Sequence, residues 1–277
     1  MKKLIFYTLS SLLFLVGIVI VAPKNASAAT NNTYMSLGDS VAAGAGLPLS
    51  NGSQAALCAK SGQAYPFKVA AETGLALEHL ACSGAKITDG ILQSQERNGV
   101  TLSPQIDRAF ANGTPKLITV TAGTNDINWA AYINKCYQSE CGTLTDTATS
   151  SLLIWKVHQN MRSLLDQIKA RNGADKPKVV VTGYYMPLSN AQPACTDTTG
   201  ITSKEVNWVR QQATLLNIAL SAVVYQYDFV SFAPVNFNGH ELCSADSWIQ
   251  GLGAPASYHP TAAGQKAIAQ SVLDVLR

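Results

Sequence analysis

Apolar positions along the chain follow two different periods, and the alternation between them predicts the architecture. Thr33-Tyr34-Met35-Ser36-Leu37 is a short strand-like run that stops at Gly38. Tyr65 to Thr73 has helical spacing, and Leu75 to Ala81 reads as a second strand. Short helices are expected around Thr88–Gln95 and Pro104–Ala111. Lys116 to Thr121 is continuous and β-branched, as a parallel strand covered on both faces should be. Ser150 to Arg171 places Ile154, Val157, Met161, Leu164, Leu165 and Ile168 on one broad face of a long helix. A fourth strand over Lys178–Thr182, a helix over Ser203–Tyr225 and a fifth strand over Asp228–Phe232 follow. A last helix runs from Thr261, a good N-cap, to Leu276. Strands alternating with helices predict a parallel sheet with helices on both faces. Ligands of such sheets sit beyond the carboxyl ends of the strands, where the strand order reverses.

The N-terminus departs from this alternation. Lys2 and Lys3 precede an apolar and hydroxyl run from Leu4 to Ala22, and a short polar segment then ends in Ala26-Ser27-Ala28. Residues 1–28 read as a secretory signal peptide with a small-x-small cleavage site. The rival reading is a permanent membrane anchor, because the run is about as long as a bilayer-spanning helix. Polar Asn31-Asn32-Thr33 directly after the cleavage site favours the signal, so residues 29–277 are expected as one secreted domain without a stable membrane anchor.

Removing that segment changes the charge. The whole chain has 20 basic and 17 acidic residues. Lys2, Lys3 and Lys24 all lie in the signal, which leaves 17 of each sign. No basic run remains to attract nucleic acid or an anionic membrane. No linker, repeat or low-complexity tract divides the remainder, and a monomer is expected.

The 6 cysteines are Cys58, Cys82, Cys136, Cys141, Cys195 and Cys243. An even number in an exported chain points to three disulfides, although many connectivities are formally open. Order along the chain favours Cys58–Cys82, Cys136–Cys141 and Cys195–Cys243. A zinc site lacks a second close pair. His240-Glu241 does not begin a zinc motif either, because position 244 is Ser where a second His is needed.

Candidate chemistry gathers at the predicted strand ends. Gly38-Asp39-Ser40 follows the first strand, Cys82-Ser83-Gly84 the second and Gly123-Thr124-Asn125-Asp126 the third. His259 stands just before the last helix. His79 and His158 fall within a strand and a helix and read as structural or surface residues. Each motif alone has an ordinary reading as a turn or a cap. Together, a Ser, a Gly, an Asn and a His at element ends form the set that acyl transfer requires. Gly-x-Ser-x-Gly is absent, since Ala42 stands where the second Gly belongs, so the α/β-hydrolase nucleophile elbow does not apply.

These blocks resemble the SGNH (GDSL-type) hydrolases over essentially the whole mature chain: Leu37 to Gly44, Gly84, Gly123-Thr124-Asn125-Asp126, and His259-Pro260 with Gly264 beyond. Gly239 to Cys243, Asp246-Ser247-Trp248 and the three-disulfide pattern look like secreted actinobacterial esterases, lipases and phospholipases. The resemblance implies a flavodoxin-like three-layer α/β/α sandwich with a five-stranded parallel sheet in the order 2-1-3-4-5. It implies Ser40 as nucleophile and His259 as base. It also implies an oxyanion hole from the Ser40 and Gly84 N–H groups with the Asn125 side chain, and no metal or cofactor. One departure stands out: the family's Asp three residues before the His is Ala256 here. A main-chain carbonyl, from Ala256 or Ser257, is then expected to orient His259, with Asp246 as the alternative.

The expected activity is a secreted carboxylic-ester hydrolase, an esterase or lipase acting on small-molecule or lipid esters. A carbohydrate O-acetyl esterase shares the chemistry and differs only in substrate. A non-catalytic cell-surface binding domain would predict a lost Ser, Asn or His, and all three are present. Loops at 44–63, 127–149 and 185–203 are expected to shape the acyl pocket, with Ala43, Ala45, Leu47, Ile127, Trp129 and Tyr132 as candidate lining.

Overall fold

The computed structural model describes residues 31–173, 176–189 and 195–277, so the expected signal segment 1–28 lies outside the described residues. The chain runs β1 (Asn31–Gly38), α1 (Ser40–Ala43), α2 (Ser53–Cys58), α3 (Tyr65–Thr73) and β2 (Ala76–His79). A small hairpin of β3 (Gln95–Arg97) and β4 (Val100–Leu102) precedes α4 (Gln105–Ala109) and β5 (Pro115–Thr121). Then come α5 (Trp129–Gln138), α6 (Leu144–Arg171), β6 (Lys178–Thr182), α7 (Ser203–Val224), β7 (Val230–Ala233) and α8 (Ala262–Leu276).

Five strands form the main sheet in the order β2-β1-β5-β6-β7, all parallel. With the separate hairpin left out of the count, this is the expected 2-1-3-4-5. The order reverses between β1 and β5, where Gly38 lies beside Thr121. Helices α3 and α8 pack together, as do α6 and α7. Val179, Val180 and Val181 of β6 are fully buried, as helices on both faces demand. The core also holds a chain of hydroxyls. Tyr34 Oη meets Thr119 Oγ1 at 2.7 Å, Tyr65 Oη meets Thr121 Oγ1 at 2.9 Å, and Thr121 Oγ1 meets Thr182 Oγ1 at 2.8 Å. Each hydroxyl of this chain therefore keeps a partner, which removes the desolvation cost of leaving it bare.

Several element bounds differ from the sequence expectation. No helix forms around Thr88–Gln95; that stretch is turns leading into β3. The supposed loop 127–149 contains α5 and the start of α6, and the loop 44–63 contains α2. Helix α6 begins at Leu144 rather than Ser150 because Thr143 and Asp146 close a capping box. The Thr143 side chain accepts from Asp146 N at 3.2 Å, and Asp146 Oδ2 accepts from Thr143 N at 3.1 Å. Apolar periodicity begins only after that first turn, so it marked the start too late. Of the loop 185–203, residues 190–194 lie outside the described residues.

Disulfides join Cys58 to Cys82, Cys136 to Cys141 and Cys195 to Cys243. The second ties the end of α5 to the segment entering α6.

Candidate active site

β1 ends in a turn that only glycine fits. Gly38 has φ +145°, and a Cβ there would stand 2.3 Å from the Thr121 carbonyl oxygen. Asp39 then donates its N–H to that same oxygen at 2.9 Å and caps α1, its Oδ1 accepting from Val41 N at 2.9 Å. Ser40 is thereby placed as the first residue of α1, beyond the carboxyl end of the sheet at its switch point. Gly44 closes this single turn at φ +80°.

His259 Nε2 lies 2.7 Å from Ser40 Oγ, and its Nδ1 lies 3.0 Å from the Ser257 carbonyl oxygen. A carbonyl only accepts, so Nδ1 carries the proton and Nε2 is left to accept from the Ser40 hydroxyl. The Ala256 carbonyl accepts the His259 backbone N–H instead, at 3.2 Å. Asp246 is engaged elsewhere: His240 Nδ1 stands 2.8 Å from its carbonyl oxygen and 3.2 Å from its Oδ2. His240 itself stacks on Trp248 at 3.7 Å.

Asn125 Nδ2 donates to the Ala85 carbonyl at 2.9 Å, which ties the turn after β5 to the turn after β2 that carries Gly84 at φ +80°. The next residue, Asp126, accepts from Ile87 N at 3.1 Å, and burial pushes its carboxyl up to about 6. Among the described residues, the N–H groups of Ser40 and Gly84 meet no acceptor.

Directly beneath Ser40, Asp39 is fully buried. Tyr184 donates to its Oδ2 at 2.6 Å and Thr124 at 3.1 Å. Burial raises the Asp39 carboxyl above its ordinary range, against the pull of these donors and of the nearby His259 imidazole.

A cavity of about 270 Å³ opens beside Ser40 and His259. Trp129, Ala130 and Ile133 of α5, Ala213 and Leu216 of α7, and Tyr184, Tyr185 and Tyr258 line it. Of the six lining candidates read from sequence, Trp129 alone is among the residues at its wall. Ala43, Ala45 and Ile127 are core residues, and Tyr132 packs edge-on to Trp208. The wall comes from α5, α7 and the tyrosines. The stretches 127–149 and 185–203 do contribute to it, the first through helix α5 rather than a loop.

Sequence reading also missed three buried glutamines that brace the turn carrying Ser40. Gln105 pairs with Gly38, Gln265 donates to Val41 O at 2.8 Å, and Gln250 donates to Ala45 O at 3.0 Å. An uncharged residue in a polar-looking stretch gives no signal of burial.

The family model of the GDSL-like lipase/acylhydrolase family matches residues 36–267. The chain belongs to that family. Within the family, Lipase 1 of Streptomyces coelicolor is 31% identical over 271 residues, covering 93% of this chain and 92% of its own. The crystal structure of phospholipase A1 from Streptomyces albidoflavus superposes with a TM-score of 0.71 at 27% identity, covering 88% of this chain and 98% of that one. The extracellular lipase of Streptomyces rimosus does so with a TM-score of 0.66 at 28% identity, covering 89% and 99%. The sheet order and flanking helices are those of these family structures. Family membership makes this chain a carboxylic-ester hydrolase of the esterase/lipase type, acting on ester substrates. Among the described residues, no helix is long and apolar enough to cross a membrane.

Proposed function

We propose that the chain hydrolyses acyl esters through an acyl-enzyme on Ser40, with His259 as general base and then general acid. The observation that carries this is the relay Ser257 O, His259, Ser40 Oγ, with contacts of 3.0 and 2.7 Å. His259 Nε2 takes the Ser40 proton as Oγ attacks the ester carbonyl, and returns it to the departing alcohol. Water then attacks the acyl-enzyme with the same histidine as base. The Ser40 and Gly84 N–H groups and the Asn125 amide receive the oxyanion. The carbonyl of Ser257 fixes the tautomer in place of the family's carboxylate, so the working unit is a Ser–His dyad.

The wall of Trp129, Ile133, Leu216 and tyrosine rings suits an apolar acyl chain better than the acetyl group of a polysaccharide. We propose lipid or other acyl esters as the substrate class, acted on by a monomer exported through removal of residues 1–28. The N-terminal pattern, the three disulfides and the extracellular S. rimosus relative support export.

The test is hydrolysis of p-nitrophenyl esters of increasing acyl length by the oxidised protein beginning at residue 29, with Ser40→Ala in parallel. Activity on medium-length chains that Ser40→Ala abolishes is expected. Acetate-only activity would move the substrate to acetylated glycans, and activity surviving in Ser40→Ala would remove Ser40 from the mechanism.

A further inference from the structure

The imidazole of His259 is oriented without a carboxylate, so something else must hold Ser257 O at Nδ1. The residue between them, Tyr258, has φ +65°. That left-handed conformation is disfavoured for a bulky side chain and persists only where the surroundings enforce it. Here it folds the chain back so that Ser257 O faces a ring two residues onward.

The enforcing contacts are specific. Tyr185 Oη donates to the Tyr258 carbonyl at 2.6 Å. Tyr185 is buried, and its ring stacks on Phe237 with centroids 4.5 Å apart and planes within 10°. Phe237 in turn packs edge-on to Trp248. The Tyr185 hydroxyl, just after β6, is therefore held in place by its ring's packing against Phe237 and, through it, Trp248, both of which follow β7. At the other end of Tyr258, the phenol oxygen hydrogen-bonds to the Tyr137 hydroxyl of α5. The backbone is closed by Tyr258 N donating to Gln250 O and by Gln250 N donating to His259 O, both at 2.8 Å.

We infer that Tyr185 is a positioning residue for catalysis: through the Tyr258 carbonyl it clamps the left-handed turn that presents Ser257 O to His259. The inference rests on the reading of His259 as the base. Tyr185 does its work without touching the reacting atoms. Loss of its hydroxyl lets the turn relax, and the imidazole loses the acceptor that selects its tautomer.

The experiment compares Tyr185→Phe with the wild type, with His259→Ala alongside. Tyr185→Phe keeps the ring stack and removes one donor. Three readouts are taken: kcat per site titrated with a fluorophosphonate, KM, and the His259 Nδ1–H proton resonance. The resonance is assigned by its loss in His259→Ala. We expect kcat per titrated site to fall by roughly 10- to 100-fold with KM within about twofold, the range that displacing a positioned group produces. The Nδ1–H resonance is expected to move upfield and to exchange faster with water. A merely structural tyrosine would lower Tm and the titratable fraction and leave kcat per site and the resonance unchanged, and that result would overturn the inference. Should Tyr185→Phe not be recovered folded, 4-aminophenylalanine at position 185 takes its place as a weaker donor of the same shape. It is then expected to lower kcat severalfold with the same upfield movement, and unchanged values overturn the inference. Wild-type turnover in His259→Ala would instead overturn the catalytic reading itself, whatever Tyr185→Phe does.

Discussion

The side-chain amide of Gln105 pairs with both backbone groups of Gly38, accepting from its N–H at 2.7 Å and donating to its carbonyl at 3.0 Å. Helix α4 thus supplies a hydrogen-bond partner where β1 leaves the sheet. This lets the strand end abruptly and Ser40 emerge two residues later. The turn depends on Gly38 having no Cβ and on Gln105 reaching it.

Gln105→Ala is expected to destabilise the protein by about 2 kcal/mol, because the Gly38 N–H is left buried without a partner. Gly38→Ala is expected to cost more than that, since its Cβ would clash with Thr121 O. Urea denaturation of the two variants against wild type checks the size and the order.

Asn125→Ala is expected to lower kcat by about 100-fold while leaving KM nearly unchanged, because an oxyanion donor acts on the transition state and not on the bound ester. Steady-state kinetics on one p-nitrophenyl ester reads this directly. A rise in KM at constant kcat would assign Asn125 to substrate binding instead.

Ala213 lines the cavity from α7 and is almost fully buried. Ala213→Phe fills space there and is expected to shift the preferred acyl length to shorter chains. On the longest ester that wild type accepts, kcat/KM is expected to fall at least about tenfold, with the acetate ester within about twofold. The acyl series of p-nitrophenyl esters provides the comparison.

Acid stability is expected to depend on His79. Burial, with the Lys60 ammonium nearby, holds its imidazole down to about 4, below the ordinary 6.5. Between these values the unfolded chain binds a proton that the folded chain refuses. The stability contributed is complete above pH 6.5 and is lost as pH falls toward 4, by up to about 3 kcal/mol. His79→Leu is expected to flatten that part of the profile, measured as Tm from pH 7 to 4.

Reduction should act most strongly through Cys195–Cys243, which spans 48 residues. Chain-entropy arguments give about 4 kcal/mol for a loop of that length, against about 2 kcal/mol for the short Cys136–Cys141 loop. Replacing each pair by alanine and comparing Tm tests the ranking. The Cys195–Cys243 variant is also expected to lose activity first, because Asp197 beside it accepts from Leu252 N at 3.0 Å in the loop that leads to His259.

The sequence by itself determined the alternation of strands and helices, the sheet they build, and the element ends where Ser40, Gly84, Asn125 and His259 stand. Those features are local: a continuous β-branched run, a helical stripe or a Gly at a strand end leaves its mark within a few residues. The long helix α7 and the cap of α8 were legible for the same reason. Only the tertiary structure chose among the groups the sequence offered to orient His259, the Ala256 and Ser257 carbonyls and the Asp246 carboxylate. Ser257 O reaches His259 because Tyr258 adopts a left-handed turn, and Tyr185 holds that turn from 73 residues away. Asp246, the carboxylate that chain order offered, is turned toward His240. The cavity wall combines α5, α7 and tyrosines after β6 and before His259, whose facing residues no periodicity relates. Contacts between distant segments are set by packing and by hydrogen bonds to backbone carbonyls. A carbonyl is present at every residue and so leaves no trace in the order of side chains.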